Sequence, residues 1–138
     1  MSLNQELILT RCQEIEESLQ RLATIKDRPR EVFLSDRDLQ DIASFRLLVA
    51  IEAALGLCYH VAAKRLKKVP EEYAECFAIL AEAGIIPNDL SGKLQKTARF
   101  RNLLVHMYWK IDYNTVYDIL HDSLDDLRRF SQLIAGLV

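Results

Sequence analysis

The chain has 138 residues, with 18 Lys and Arg against 20 Asp and Glu, a formal net charge of -2, and half of its residues hydrophobic. Four Gly, three Pro and three scattered Cys exclude a collagen-like repeat, low-complexity disorder and a disulfide scaffold. A chain of this length can bury about two-thirds of its unfolded surface, enough for one core without covalent staples. The near-balance of charge excludes whole-surface affinity for nucleic acid and confines any such site to a local patch.

Hydrophobic residues recur in three- and four-residue steps throughout, and no stretch alternates with period two. Ile8, Cys12, Ile15, Leu19 and Leu22 form the stripe of a first helix over about 4–26. The stretch from Asp27 to Ser35, with Pro29, breaks the pattern, and Ser35 followed by Asp38 resembles a capping box. A second helix is predicted from about Asp36 to Lys67, nearly 48 Å long at about 1.5 Å per residue. It carries two stripes, Ile42, Phe45, Val49, Ala53, Gly56 and His60, and Leu48, Ile51, Leu55, Cys58, Ala62 and Leu66. Two stripes make it the central helix of a bundle, buried on most sides.

Pro70 suits the first turn of a third helix, with Glu71 and Glu72 at its positive end and Tyr73, Phe77 and Leu80 as its stripe. Gly84 reads as the stop, Ile85 as its hydrophobic contact, and Pro87 prevents continuation. Asn88 or Asp89 caps a fourth helix through Met107. Asp112 or Asn114 starts a last one with the stripe Val116, Leu120, Leu124, Leu127, Phe130 and Ile134. The expectation is a single all-α domain over 1–138, an up-down bundle of about five helices with a long central helix. The apolar circumference of that helix further predicts a homodimer.

Cys12, Cys58 and Cys76 stand at neither disulfide nor metal spacing and read as reduced, packed thiols. The three histidines, His60, His106 and His121, form no HExxH motif and no Cys/His pair, so neither a metal site nor a cofactor is expected. His60 reads as a core histidine with a hydrogen-bond partner, and His121 as exposed. The start MSLNQELIL lacks a basic region and a small-residue cleavage site. The charge-poor run Leu47–Ala63 is broken by Glu52 and falls short of the roughly 20 apolar residues a spanning helix needs. A cytoplasmic protein without a membrane segment is expected.

Charge placement points to chemistry. No acidic residue occurs from Leu90 to Ile111, whereas Lys93, Lys96, Arg99, Arg101 and Lys110 do. Lys93, Lys96 and Arg99 fall every third residue on one side of a helix. They are a solvated face or a track for RNA phosphates. A second basic knot, Lys64, Arg65, Lys67 and Lys68, ends the central helix.

Within the first patch stands Arg101-Asn102-Leu103-Leu104-Val105-His106-Met107-Tyr108. Asn102 and His106 share a helical face, as do Arg101 and Tyr108, while Arg101 and His106 lie about 140° apart and would flank one groove unless the last turn is distorted. Such a set suits metal-free RNA cleavage. Histidine moves protons at the 2′-hydroxyl or the leaving oxygen, and Arg pairs with the phosphate oxygens. One histidine per chain does not readily serve as both acid and base, and a symmetric dimer would supply a second. The bland alternative makes Arg101 a carboxylate partner and His106 a helix-end residue favoured by the dipole. Glu52 needs a partner inside its apolar run. Arg46, a backbone donor and the Arg101/His106 site are the candidates.

The octapeptide Arg101–Tyr108, with Arg, four residues, His, one residue and Tyr, resembles the motif of the HEPN superfamily in its HepT-like toxin branch. Phe33–Leu66, Val69–Pro87 and Ile111–Leu120 resemble the family's flanking segments in order, so the likeness spans about 33–127. The resemblance implies an all-α homodimer with two motifs facing each other across a cleft. It also implies a metal-independent endoribonuclease, the toxin of a type VII-like toxin–antitoxin pair. Its antitoxin would be an MntA-like minimal nucleotidyltransferase that transfers AMP from ATP to the motif tyrosine. Carried over, Arg101 and His106 are the catalytic pair, Asn102 is a supporting residue and Tyr108 is the AMPylation target. The alternative is a noncatalytic HEPN-type module that binds nucleotide or RNA, or only dimerises. The intact Arg/His pair is what separates the two.

Overall fold

Seven α-helices and one 3-10 turn, with no strand, make up residues 2–138 described by the computed structural model; Met1 lies outside them. The helices are α1 Gln5–Lys26, α2 Arg30–Ser35, α3 Arg37–Arg65, α4 Tyr73–Glu82, α5 Asn88–His106, α6 Tyr113–Asp122 and α7 Leu124–Ala135. The expected five segments are all present, and two more appear.

The first addition is α2. Pro29 breaks α1 as predicted, but its φ of -57° and ψ of 148° also lead into a new turn starting at Arg30. Phe33 on that turn is fully buried and meets Tyr113 and Tyr117 at ring distances of 6.3 and 5.6 Å. The capping box predicted at Ser35 is not formed. The cap is Asp36, whose carboxylate accepts from the Asp38 and Leu39 amides, while the Ser35 hydroxyl donates back to Glu31 and Val32 carbonyls. The second addition is a break at Ser123 that divides the predicted last helix into α6 and α7. The stripe runs through it undisturbed, since Val116, Leu120, Leu124, Leu127, Phe130 and Ile134 are all buried.

Two predicted starts move. After α3 the chain turns through Lys67, whose φ of 54° is left-handed. Pro70 is buried in the connection rather than placed in a first helical turn, and α4 begins at Tyr73. Neither Asn88 nor Asp89 caps α5; Pro87 holds the N-cap position, and Asp89 pairs with Arg129 on α7 at 3.3 Å. Of the two starts offered for the last helical stretch, Asp112 and Asn114, Asp112 holds the cap of α6 and accepts from the Asn114 amide at 2.9 Å.

The core lies around α3, which packs against α1, α4, α5, α6 and α7, while α4 pairs with α5. Ile8, Ile15, Leu19 and Leu22 of α1 meet Leu47, Ala50, Leu57 and Val61 of α3 in one buried cluster. The burial of α3 is less complete than its two stripes suggest. Ile42 is 46% and Phe45 59% exposed, and Leu9 on α1 is 51% exposed. By length and mean hydropathy α3 alone could cross a membrane, but half of its most apolar window is enclosed by the other helices. Cys58 and Cys76 are buried free thiols, and Cys12 is half-buried with its Sγ 3.6 Å from the Ser131 carbonyl. Burial raises the Cys58 thiol, reinforced by Cys76, so it stays protonated.

The end of α4 forms as its sequence predicts. Gly84 has φ of 76°, the Ile85 amide bonds to the Leu80 carbonyl at 2.9 Å, and the Gly84 amide to Ala81 at 3.0 Å. A Cβ at Gly84 would meet no atom within 4 Å, so any cost of adding one is backbone strain. Gly84→Ala should therefore lower unfolding free energy by about 1 kcal/mol in urea titrations. An unchanged midpoint would contradict the left-handed stop.

Candidate functional site

The motif lies over the last turns of α5. Leu94, Thr97, Ala98 and Leu104 are buried against the core, and this register turns Lys96, Arg99, Asn102 and His106 outward. Arg101 differs from these neighbours: its side chain is only 12% exposed.

Three groups hold the Arg101 guanidinium. Its Nε donates to Glu52 Oε1 from the middle of α3. Nη1 donates to Asn102 Oδ1 at 3.3 Å. Cζ stands 4.5 Å from the centroid of the Tyr73 ring at the start of α4. That ring meets Tyr59 of α3 nearly at right angles, with centroids 5.9 Å apart. A carboxylate and an aromatic face both offset the cost of removing a guanidinium from water. Arginine has five N–H donors; two are engaged, and three have no hydrogen-bond partner among the described residues.

Glu52 is therefore partnered by Arg101 and not by Arg46, whose Cζ lies 5.6 Å over the Phe45 ring instead. Its side chain is 46% exposed, so it sits at the edge of the apolar run rather than inside it. Tyr73 and Tyr59 are the contacts that the sequence reading missed. No local spacing links them to Arg101; only the packing of α3 and α4 beside α5 does.

His106 is the last residue of α5, exposed, with no hydrogen bond to its ring among the described residues. Met107, at φ -138° and ψ 42°, ends the helix, and residues Tyr108–Lys110 form a single 3-10 turn. Tyr108 therefore does not share a helical face with Arg101, contrary to the spacing, because the helix stops between them. Tyr108 is 68% exposed and packs edge-on against Trp109 at 5.4 Å. It lines a cavity of about 250 Å³ with Ser44, Phe45, Leu48, Leu104 and Tyr113. The two motif residues still meet a common surface. Phe45 and Glu52 are seven residues apart on α3, about 10 Å along one face. Tyr108 lies near the first and Arg101 at the second.

The basic stripe is partly solvated and partly paired. Lys93 reaches Asp126 on α7 at 3.9 Å, whereas Lys96 and Arg99 are exposed. Burial raises the Asp126 carboxyl above its ordinary range, with Lys93 opposing. Among the described residues no three His, Cys, Asp or Glu side chains cluster as a metal site. His60 lies apart from the motif and is half-buried rather than in the core; its Nε2 accepts the Asn4 amide at 2.9 Å. His121 is exposed, as its sequence context suggests, and its Nδ1 lies 2.9 Å from the Tyr117 carbonyl.

The all-α bundle carries the Arg101–Tyr108 motif at the end of its fifth helix, and comparison with known proteins assigns the family. The profile of the ribonuclease HepT-like family matches residues 15–134, and the chain belongs to that family. The mRNA nuclease HepT of Shewanella oneidensis is 24% identical over 129 residues, covering 94% of this chain and 96% of that protein. The tri-AMPylated HEPN toxin of the same organism, solved with its MNT antitoxin, superposes with a TM-score of 0.86 at 24% identity, covering 94% of this chain and 97% of that one. YutE of Bacillus subtilis, a cytosolic protein of unknown function, shares the fold with a TM-score of 0.83 at 16% identity, over 97% of this chain and 90% of its own.

The His60 contact carries a pH dependence. Burial first, and Lys64 second, lower its pKa from 6.5. The unfolded chain therefore takes up protons before the folded one, and stability falls as pH drops from about 6.5 through the lowered value. Urea midpoints should fall between pH 7.5 and 5.5, and His60→Gln should flatten that change. An equal fall in the variant would assign the effect to other groups.

Proposed function

We propose that this chain, as one HepT-like domain over 1–138, is an endoribonuclease toxin that cleaves RNA without a metal ion. The observation that carries the reading is the Arg101 guanidinium. It is fixed on three sides, has three donors with no hydrogen-bond partner among the described residues, and stands five residues before His106, whose imidazole has no partner among them either. The family and the curated nuclease relative support it.

In the reaction, the ribose 2′-oxygen attacks the adjacent phosphorus and its proton passes to an imidazole. The bond to the 5′-oxygen breaks, and that oxygen takes a proton from an imidazolium. The products are a 2′,3′-cyclic phosphate and a 5′-hydroxyl. Imidazole is the side chain able to give or take a proton near neutral pH. Arg101 takes up the charge that grows on the non-bridging oxygens, and its fixed position spares reorganisation at that moment. Asn102 holds Nη1, and Glu52 orients the guanidinium through Nε. Lys93, Lys96 and Arg99 supply phosphate contacts along the strand, Lys93 less than the others because Asp126 faces it.

A homodimer supplies the second histidine. Phe45, 59% exposed and lining the cavity that Tyr108 borders, supports a second copy as the occupant of that face. The off switch is Tyr108, with an MntA-like minimal nucleotidyltransferase as partner and AMP as the transferred group. Tyr108 is exposed and therefore accessible to such an enzyme. The adduct would place a phosphodiester charge near Arg101 and fill the groove that RNA needs. The antitoxin complex of the Shewanella toxin supports the pairing, and the cytosolic Bacillus neighbour a cytoplasmic location.

Sedimentation at micromolar concentration should give about twice 15.9 kDa. RNA cleavage should persist in EDTA and disappear in His106→Ala. Arg101→Ala should lose at least about 100-fold in kcat, the cost of removing a charge-stabilising donor. Tyr108→Phe should still cut RNA but gain no AMP mass from an MntA-like nucleotidyltransferase and ATP. Undiminished cleavage by His106→Ala would overturn the assignment of the activity to this site.

A further inference from the structure

A cavity of about 500 Å³ opens where α3, α4 and α5 meet, lined by Tyr59, Glu71, Glu72, Tyr73, Arg99 and Asn102. Two of these residues touch Arg101. Tyr73 lies under its guanidinium, and Asn102 accepts from its Nη1. A phosphate bound by the free N–H groups of Arg101 would thus have this cavity directly beside it.

Its lining is unlike a phosphate site. Tyr59 and Tyr73 make an aromatic corner, their rings nearly perpendicular. Burial raises the Tyr59 hydroxyl, which stays a protonated donor. The carboxylates of Glu71 and Glu72 make no hydrogen bond or ion pair with another side chain among the described residues. Ionised carboxylates only accept hydrogen bonds and repel phosphate. The group that suits the cavity is flat and uncharged, and it presents N–H donors. In single-stranded RNA that group is a base, stacked on an aromatic ring and read on its Watson–Crick edge. Guanine, cytosine and adenine offer an amino group there. Uracil offers one N–H between two carbonyls, which would face the carboxylate lone pairs. Arg99, on the same rim, is placed for a neighbouring phosphate.

We propose that this cavity is a base subsite of the nuclease, holding the nucleobase beside the cleaved phosphate and favouring amino-bearing bases over uracil. The inference rests on the ribonuclease reading above. It adds Glu71, Glu72 and Tyr59 as residues that set specificity without entering the chemistry.

Two measurements on the full chain test it. Calorimetric titration with CMP and UMP should show UMP binding about tenfold more weakly, the scale of a lost base-edge contact. The double change Glu71→Gln and Glu72→Gln should bring the two within about threefold, because an amide can also donate to a uracil carbonyl. Cleavage of a random RNA pool should show uracil depleted at one position beside the cut in the wild type and restored in the double variant. Equal affinities for CMP and UMP, or a double variant with the wild-type profile, would overturn the subsite while leaving the nuclease intact. A wild-type chain that cuts no RNA would remove the nuclease reading instead, and the titration alone would then decide whether the cavity selects amino-bearing bases.

Discussion

The bridge between Glu52 and Arg101 joins the middle of α3 to the end of α5, and the candidate site is organised around it. A guanidinium that is mostly withdrawn from water needs partners, and these come from three different helices. Glu52 takes Nε, Asn102 takes Nη1, and the Tyr73 ring covers the plane. Any displacement of α4 or α5 relative to α3 would change at least one of these contacts. The orientation of the remaining donors is thus tied to the packing of the bundle, which is the most rigid feature available to it.

The same packing accounts for the contrast within the motif. Arg101 is fixed because it turns toward α3 and α4. His106 and Tyr108 are exposed because α5 ends between them and the chain leaves as a 3-10 turn. In the proposed reaction, residues that exchange protons or accept a transferred group need access, while a residue that stabilises charge gains from being held. The exposed apolar face of α3 passes Phe45, near Tyr108, on its way to Glu52. Covering that face with a second copy would remove water from the site as well as apolar surface.

Much of the bundle was legible in the sequence because its period is regular. The stripes of α1 and of the last helical stretch, and the glycine stop at Gly84, follow directly from residue spacing. The errors fall where pattern gives way to local competition. A six-residue helix is too short to show a period, so α2 read as a break. Ser35 and Asp36 both suit a cap, and the carboxylate won. Pro70 fits a helix start, yet after the left-handed turn at Lys67 it lies buried in the connection and α4 begins at Tyr73. At Ser123 the stripe continues while the backbone does not. The motif residues were legible as a set. The partner of Glu52 was legible only as one of several candidates, because 49 residues separate it from Arg101. Tyr73 left no signal, since its role depends on where α4 lands. Tyr108 was read by helical spacing beyond the point where the helix ends.

The central claim is that the bundle holds the Arg101 guanidinium in place for phosphate. Steady-state cleavage by Tyr73→Leu, alongside Tyr73→Phe and melting curves for each, tests it most directly. The account predicts that the Leu variant, still folded, loses at least about tenfold in kcat with KM little changed, and that the Phe variant, which keeps the aromatic face, recovers most of the loss. A folded Leu variant that cleaves RNA at the wild-type rate would contradict it.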